Sequence, residues 1–131
     1  MKFDGFHHIG LFVKDMEKSL KFYTEGLGGK EVYSFPLTAD PSKTIHLVDL
    51  GGGAVLELIP SGTDVPESNA RWAHICLLTE DVEGVYAAAI AAGAKERSEP
   101  VTGFLGNMNR TGAFVFGPDD EVIEFFHVIS M

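Results

Sequence analysis

The chain has 131 residues, 45% of them hydrophobic, with 19 acidic against 10 basic residues and a formal net charge of -9. That length suits one domain able to bury its own core. The acidic balance argues against nucleic acid or an anionic membrane as partner, since both need a basic surface. No apolar run approaches the length of a membrane span, Met1-Lys2-Phe3-Asp4 does not open a signal peptide, and Cys76 is the only cysteine, so a cytoplasmic protein without disulfides is expected.

Residues 6–13 alternate as a strand, with His8, Gly10 and Phe12 on one face. Asp15 is a helix N-cap, Met16, Leu20, Tyr23 and Leu27 recur at helical spacing, and Gly28-Gly29 ends the run. Strands are predicted over Glu31 to Phe35 and Ile45 to Leu50. The turn Gly51-Gly52-Gly53 then leads into Ala54 to Ile59. The stretch at 61–71 reads as a linker between a first module at about 5–60 and a second at about 72–131. In the second, Ala73 to Leu78 is a strand. Asp81 caps a helix striped by Val82, Val85, Tyr86, Ala89 and Ile90, and Gly93 stops it. Lys95 to Glu99 has room for a short strand, and 100–111 reads as a loop. Ala113 to Phe116 and Glu121 to Ile129 are strands flanking a Gly117-Pro118-Asp119-Asp120 turn.

The two halves repeat. His74 and Asp81 follow His8 and Asp15 by 66 positions, Glu124 follows Glu57 by 67, and Gly-Gly-Lys-Glu at 28–31 returns as Gly-Ala-Lys-Glu at 93–96. Such duplication predicts an α+β fold of two βαβββ modules whose sheets curve around a shared interior.

Val122-Ile123-Glu124-Phe125-Phe126-His127 is otherwise β-branched or aromatic, so Glu124 is costly there unless paired. Val55-Leu56-Glu57-Leu58-Ile59 repeats the pattern, and His8 and His74 each open an apolar run. A lone strand histidine is usually structural and a lone glutamate usually faces solvent. Two of each in duplicated places make a metal-ligand inventory. Phe12, Cys76 and Phe126 share faces with these residues, and Asn107, Asn109 and Arg110 in the 100–111 stretch offer contacts to a polar substrate. Loop residues are more often simply solvated, and Cys76 more often a small buried hydrophobe. His7, His46 and His127 fall outside the pattern and read as ordinary polar contacts.

His8-Ile9-Gly10-Leu11 through Asp15, Ser19, Phe22-Tyr23 and Leu27-Gly28 resembles the first module of the vicinal oxygen chelate superfamily. Ala73-His74-Ile75 and Gly117-Pro118-Asp119-Asp120-Glu121-Val122-Ile123-Glu124 resemble the second. The superfamily includes glyoxalase I, fosfomycin resistance proteins, extradiol dioxygenases, methylmalonyl-CoA epimerase and bleomycin-binding proteins, so the resemblance fixes a fold more narrowly than a chemistry.

The resemblance implies sheets forming a cup or half-barrel around a divalent metal (nickel, cobalt, zinc, manganese or iron). In bacterial glyoxalase I-like members the two histidines and two glutamates of the site fall on His8, Glu57, His74 and Glu124. The epimerases carry glutamine at the Glu57 place, and the fosfomycin and dioxygenase types use three protein ligands. The implied activity is therefore a glyoxalase I-like isomerase or lyase acting by proton transfer on a small carbonyl or hemithioacetal. Its metal would polarise the carbonyl and stabilise an enediolate, with Glu124 as the main acid/base and Glu57 its counterpart. Homodimers are common in that subfamily. Two departures count against glutathione as the thiol. Phe12 stands where glyoxalase I typically has arginine, and Ser61 where it has asparagine, leaving Arg71 and Arg110 as replacement cations. The alternatives are an oxygenase, an antibiotic-modifying enzyme, an epimerase, or a binding protein without turnover.

Overall fold

A computed structural model describes residues 6–61, 74–105 and 107–131 of the chain. The predicted linker beyond Ser61, together with Arg71, Ala73 and Gly106, lies outside the described residues. The chain divides into two compact units, Met1–Pro66 and Glu67–Met131.

In the first unit, strand β1 (Ile9–Val13) is followed by helix α1 (Met16–Lys21), a π-helical turn (Phe22–Gly26), and strands β2 (Lys30–Pro36), β3 (Thr44–Asp49) and β4 (Val55–Pro60). The four strands form one mixed sheet in the order β1-β4-β3-β2, with β1 and β4 parallel and the other pairs antiparallel. Asp15 caps α1 by accepting from the Lys18 amide at 3.1 Å. The continuous helix predicted to Leu27 is instead broken at Phe22. There Leu27 N–H donates to Phe22 C=O at 2.9 Å, an i→i+5 bond, and the Thr24 hydroxyl donates to Leu20 C=O at 2.6 Å. Of the predicted stripe Tyr23 is buried, while Met16, Leu20 and Leu27 are half-buried, and Ser19 and Phe22 are the further buried positions of this segment.

The second unit repeats this order. Strand β5 (Ile75–Leu78) leads to helix α2 (Val82–Ala91), then to β6 (Lys95–Leu105), β7 (Met108–Phe116) and β8 (Val122–Ser130), and the sheet order is β5-β8-β7-β6. Asp81 caps α2 through the Gly84 amide at 2.9 Å. The loop predicted at 100–111 is in fact most of a long hairpin. β6 runs through it to Leu105 and β7 begins at Met108, with Thr102 and Thr111 side chains 2.7 Å apart across the pair. Pro100, which lacks an N–H, is accommodated because β6 is an edge strand whose register shifts between Ser98 and Val101.

Strand parity separates two faces in each sheet. Leu56 and Leu58 in β4, and Ile123 and Phe125 in β8, are at most 2% exposed and pack toward the unit's own helix, with Val13, Phe22, Tyr23 and Val48 in the first unit and Val82, Ala89, Ala113 and Val115 in the second. Helix α1 lies against β4, and α2 against β6, β7 and β8. Glu57 and Glu124, the intervening residues, therefore stand on the face turned away from the helix. Among the described residues no helix is long and apolar enough to cross a membrane.

Candidate metal centre

Each unit brings one histidine to one glutamate. His8 and His74 sit one residue before β1 and β5, so the strand predicted from residue 6 begins only at Ile9. The parallel pairing sets Gly10 beside Glu57 and Cys76 beside Glu124, each two residues after its histidine. His8 Nε2 lies 3.6 Å from Glu57 Oε1, and His74 Nε2 lies 3.2 Å from Glu124 Oε1. The carboxylates are mostly covered, with side chains 18% and 13% exposed, while the imidazoles are open at 36% and 37%.

Two donors on one transition-metal ion, each about 2.1 Å from it, stand roughly 3.0–3.5 Å apart whether the geometry is octahedral or tetrahedral. The His74–Glu124 separation lies within that span and the His8–Glu57 separation just above it, and imidazole with carboxylate is a donor set that such ions accept. By chemistry and by spacing the residues fit a divalent metal. Within each unit they supply two donors. Among the described residues no group of three or more His, Cys, Asp or Glu side chains gathers at metal-binding distance.

A glycine stands beside each carboxylate. A Cβ on Gly10 would stand 3.7 Å from Glu57 Oε1 and 3.3 Å from Ile59, and one on Gly112 would stand 3.6 Å from both Glu124 Oε2 and Phe126. In the second unit three rungs on this face pair Phe114 with Glu124, Gly112 with Phe126, and Arg110 with Val128. Phe114 also meets the edge of the His74 ring at 5.6 Å. Phe126 is thus beside Glu124, and Arg110 two rungs along, its guanidinium donating to Val101 C=O at 3.2 Å. Asn107 is not brought to the pair. It lies in the hairpin turn, roughly 20 Å along β7 from Phe114 at the ordinary strand rise. Phe12 is half-buried opposite Ile59, and Ser61 closes the end of β1 by donating to Val13 C=O at 3.1 Å.

Cys76 is an exposed residue, yet its thiol is pushed up to about 12, first by burial of the sulfur and then by the Glu124 carboxylate, which accepts its hydrogen bond and repels a thiolate. A thiol so held is a neutral donor to Glu124 and not a nucleophile at neutral pH. His46, read as an ordinary polar residue, hydrogen-bonds Glu31 at 2.6 Å across β2 and β3.

Arg97 is a further charged residue on the ligand face that sequence reasoning missed. Its guanidinium carbon sits 5.3 Å from the Phe114 ring centre and 5.8 Å from that of Phe116. The available signal was the repeat: Gly-Ala-Lys-Glu is followed by Arg97 where Gly-Gly-Lys-Glu is followed by Val32.

Similar proteins carry the same architecture. The Bacillus subtilis (strain 168) protein YwbC, itself uncharacterised, is 33% identical over 120 residues, spanning 91% of this chain and 94% of its own. The crystal structure of SMU.1112c superposes with a TM-score of 0.73 at 26% identity, over 95% of this chain and 99% of that one. A V278E mutant of glyoxalase I from Zea mays superposes at 0.76 with 23% identity, over 92% of this chain and 43% of the maize chain, and shows a shared fold. The model of the Glyoxalase/Bleomycin resistance protein/Dioxygenase superfamily matches residues 5–125. With that match over nearly its whole length, the chain belongs to this superfamily.

Proposed function

We propose that the protein is a divalent-metal-dependent isomerase or lyase of the glyoxalase I kind, moving a proton next to the carbonyl of a small substrate. The observation that carries the proposal is the repeated His–Glu pair, with Nε2–Oε1 separations of 3.6 and 3.2 Å at equivalent places in two sheets. Two pairs, His8 with Glu57 and His74 with Glu124, supply the four donors of one ion, from one chain or from two. A bound divalent cation would act there as a Lewis acid on the substrate carbonyl.

The chain's own residues do the rest. His8 and His74 are open enough to reach an ion without moving the core behind them. Glu124, on an apolar face beside Phe114 and Phe126, takes the proton from the carbon next to the carbonyl, and Glu57 returns one. The Cys76 S–H holds the Glu124 carboxylate in orientation. Ser61, bonded to Val13 at the strand end, and Phe12, apolar and packed opposite Ile59, offer no carboxylate clamp, which supports a substrate other than a glutathione adduct. A homodimer belongs to the same proposal, supported by exposed Phe104, Leu105, Val128 and Ile129 near one end of the second sheet.

The test is elemental analysis of protein purified without chelator, beside a His8→Ala, Glu124→Ala double variant. About one metal ion per two His–Glu pairs, lost in the variant, is the expected result. Glu124→Gln should then keep the fold and lower turnover of a hemithioacetal at least about a hundredfold. No metal, and no uptake on titration with nickel, cobalt, zinc, manganese or iron, would overturn the proposal.

A further inference from the structure

We propose that Arg97 is the carboxylate-recognising residue of this site and that the substrate accordingly carries a carboxylate. The inference rests on the proposed function for the carbonyl end of the substrate and on independent geometry for the acid end.

That geometry begins with a bulge. β6 and β7 pair Glu96 with Val115 and then Ser98 with Phe114, so Arg97 is the extra residue of the edge strand. A bulge re-aims the side chain it carries. Here it lays the guanidinium over Phe114 and Phe116, the first of which is the rung partner of Glu124 and touches His74. One aromatic ring thus separates Arg97 from the proposed metal pair, all within one unit.

The same bulge exists in the first unit. There Glu31 pairs with Val48 and Tyr33 with Leu47, and the extra residue is Val32, half exposed. One fold position therefore carries valine in one module and arginine in the other, so the bulge itself does not require a cation. Nor does charge pairing explain it: among the described residues none of the ion pairs involves Arg97, while its neighbour Lys95 is engaged with Asp120 at 3.7 Å. The ring contacts engage no N–H donor in an ion pair, and a guanidinium carries an edge that matches a carboxylate in two parallel hydrogen bonds. Arg97 is exposed, and in a chain of net charge -9 an anionic substrate needs such a cation to offset the surrounding field.

The experiment is an NMR titration of the full chain with pyruvate and with 2-oxoglutarate, each at up to tens of millimolar, following the Arg97 Nε–Hε resonance and the amides of Phe114 and Phe116. Methyl pyruvate is the uncharged control. Both acids should shift these signals saturably and the ester should not. Arg97→Val, which gives this bulge the residue the first unit already carries, should weaken acid binding about tenfold or more. Arg97→Lys should recover part of it. Absence of shifts at Arg97 with both acids, or equal binding by Arg97→Val, overturns the inference. Metal uptake by the wild-type chain, measured in parallel with its acid titration, separates the two readings. Metal bound with no acid response leaves the metal site standing alone. Acid response without metal leaves the acid site standing alone.

Discussion

Replacing Glu124 by leucine in metal-free protein distinguishes a carboxylate kept for chemistry from one kept for stability. The Glu124 side chain is 13% exposed on a face shared with Val122, Phe126 and Phe114, so a leucine there would be nearly buried. Burying it is worth about 1.5–3 kcal/mol. What is lost is the weak Cys76 S–H hydrogen bond and a contact to an imidazole 37% exposed, which returns to water when the partner goes, together at a cost of about 0–1 kcal/mol. The net expectation is a gain of about 1–2 kcal/mol, which for a domain of this size raises the unfolding midpoint roughly 4–8 °C. Calorimetry in excess chelator measures it. The contrast is Glu31→Leu, which removes a 2.6 Å hydrogen bond to a His46 only 19% exposed and puts an apolar group on an edge strand; it should lower stability by about 1 kcal/mol. On adding metal at about a hundred times its Kd, wild type should gain about 2.7 kcal/mol and Glu124→Leu none. A metal-free Glu124→Leu protein destabilised by about 2 kcal/mol or more would refute the reasoning, because the glutamate would then be a structural partner of His74.

Two further outcomes follow from single positions. A Cβ on Gly29 would lie 2.5 Å from Tyr23 C=O, 2.7 Å from Val48 and 2.9 Å from Leu50, and the first of these is backbone that cannot swing aside, so Gly29→Ala should cost about 3 kcal/mol or more in urea unfolding. Cys76, with its thiol raised to about 12, should react slowly with an aromatic disulfide reagent near pH 8 in chelated protein. Glu124→Gln removes the repelling charge, lowers the thiol's pKa, and should speed that reaction about tenfold.

Most of the fold was legible because it is written twice. The offset of 66 or 67 between His8, Asp15, Glu57 and their second-half counterparts aligns β1, α1 and β4 with β5, α2 and β8, and the same strand order appears in both sheets. Alternation in Val55 to Ile59 and Val122 to Phe126 gave the parity of each strand, and the structure puts the buried core on the parity opposite the glutamates, at Leu56, Leu58, Ile123 and Phe125. What was illegible was backbone that departs from regular period. The π-turn after Lys21 changes the helical repeat at a point where propensity gives no mark; Tyr23 of the predicted stripe is buried, but Phe22 beside it is buried as well and Leu20 only half so. Pro100, Gly103, Asn107 and Asn109 are loop formers by composition, yet bulges absorb Pro100 and let an edge strand continue past it to Leu105.

The residue that strand parity could not assign is also the one on which the two modules differ most informatively. Parity assigns faces only while the ladder is regular, so a bulged residue has no face that sequence alone can name. Val32 and Arg97 stand at the same bulge, after the same Lys-Glu, in units that otherwise duplicate cap, sheet order and His–Glu pair. What the modules share is what the fold and the metal pair require. An arginine present in one copy, resting on aromatic rings beside Glu124 and joined to no acidic side chain among the described residues, is what neither requires, and it is there that the specificity of one particular reaction is to be sought.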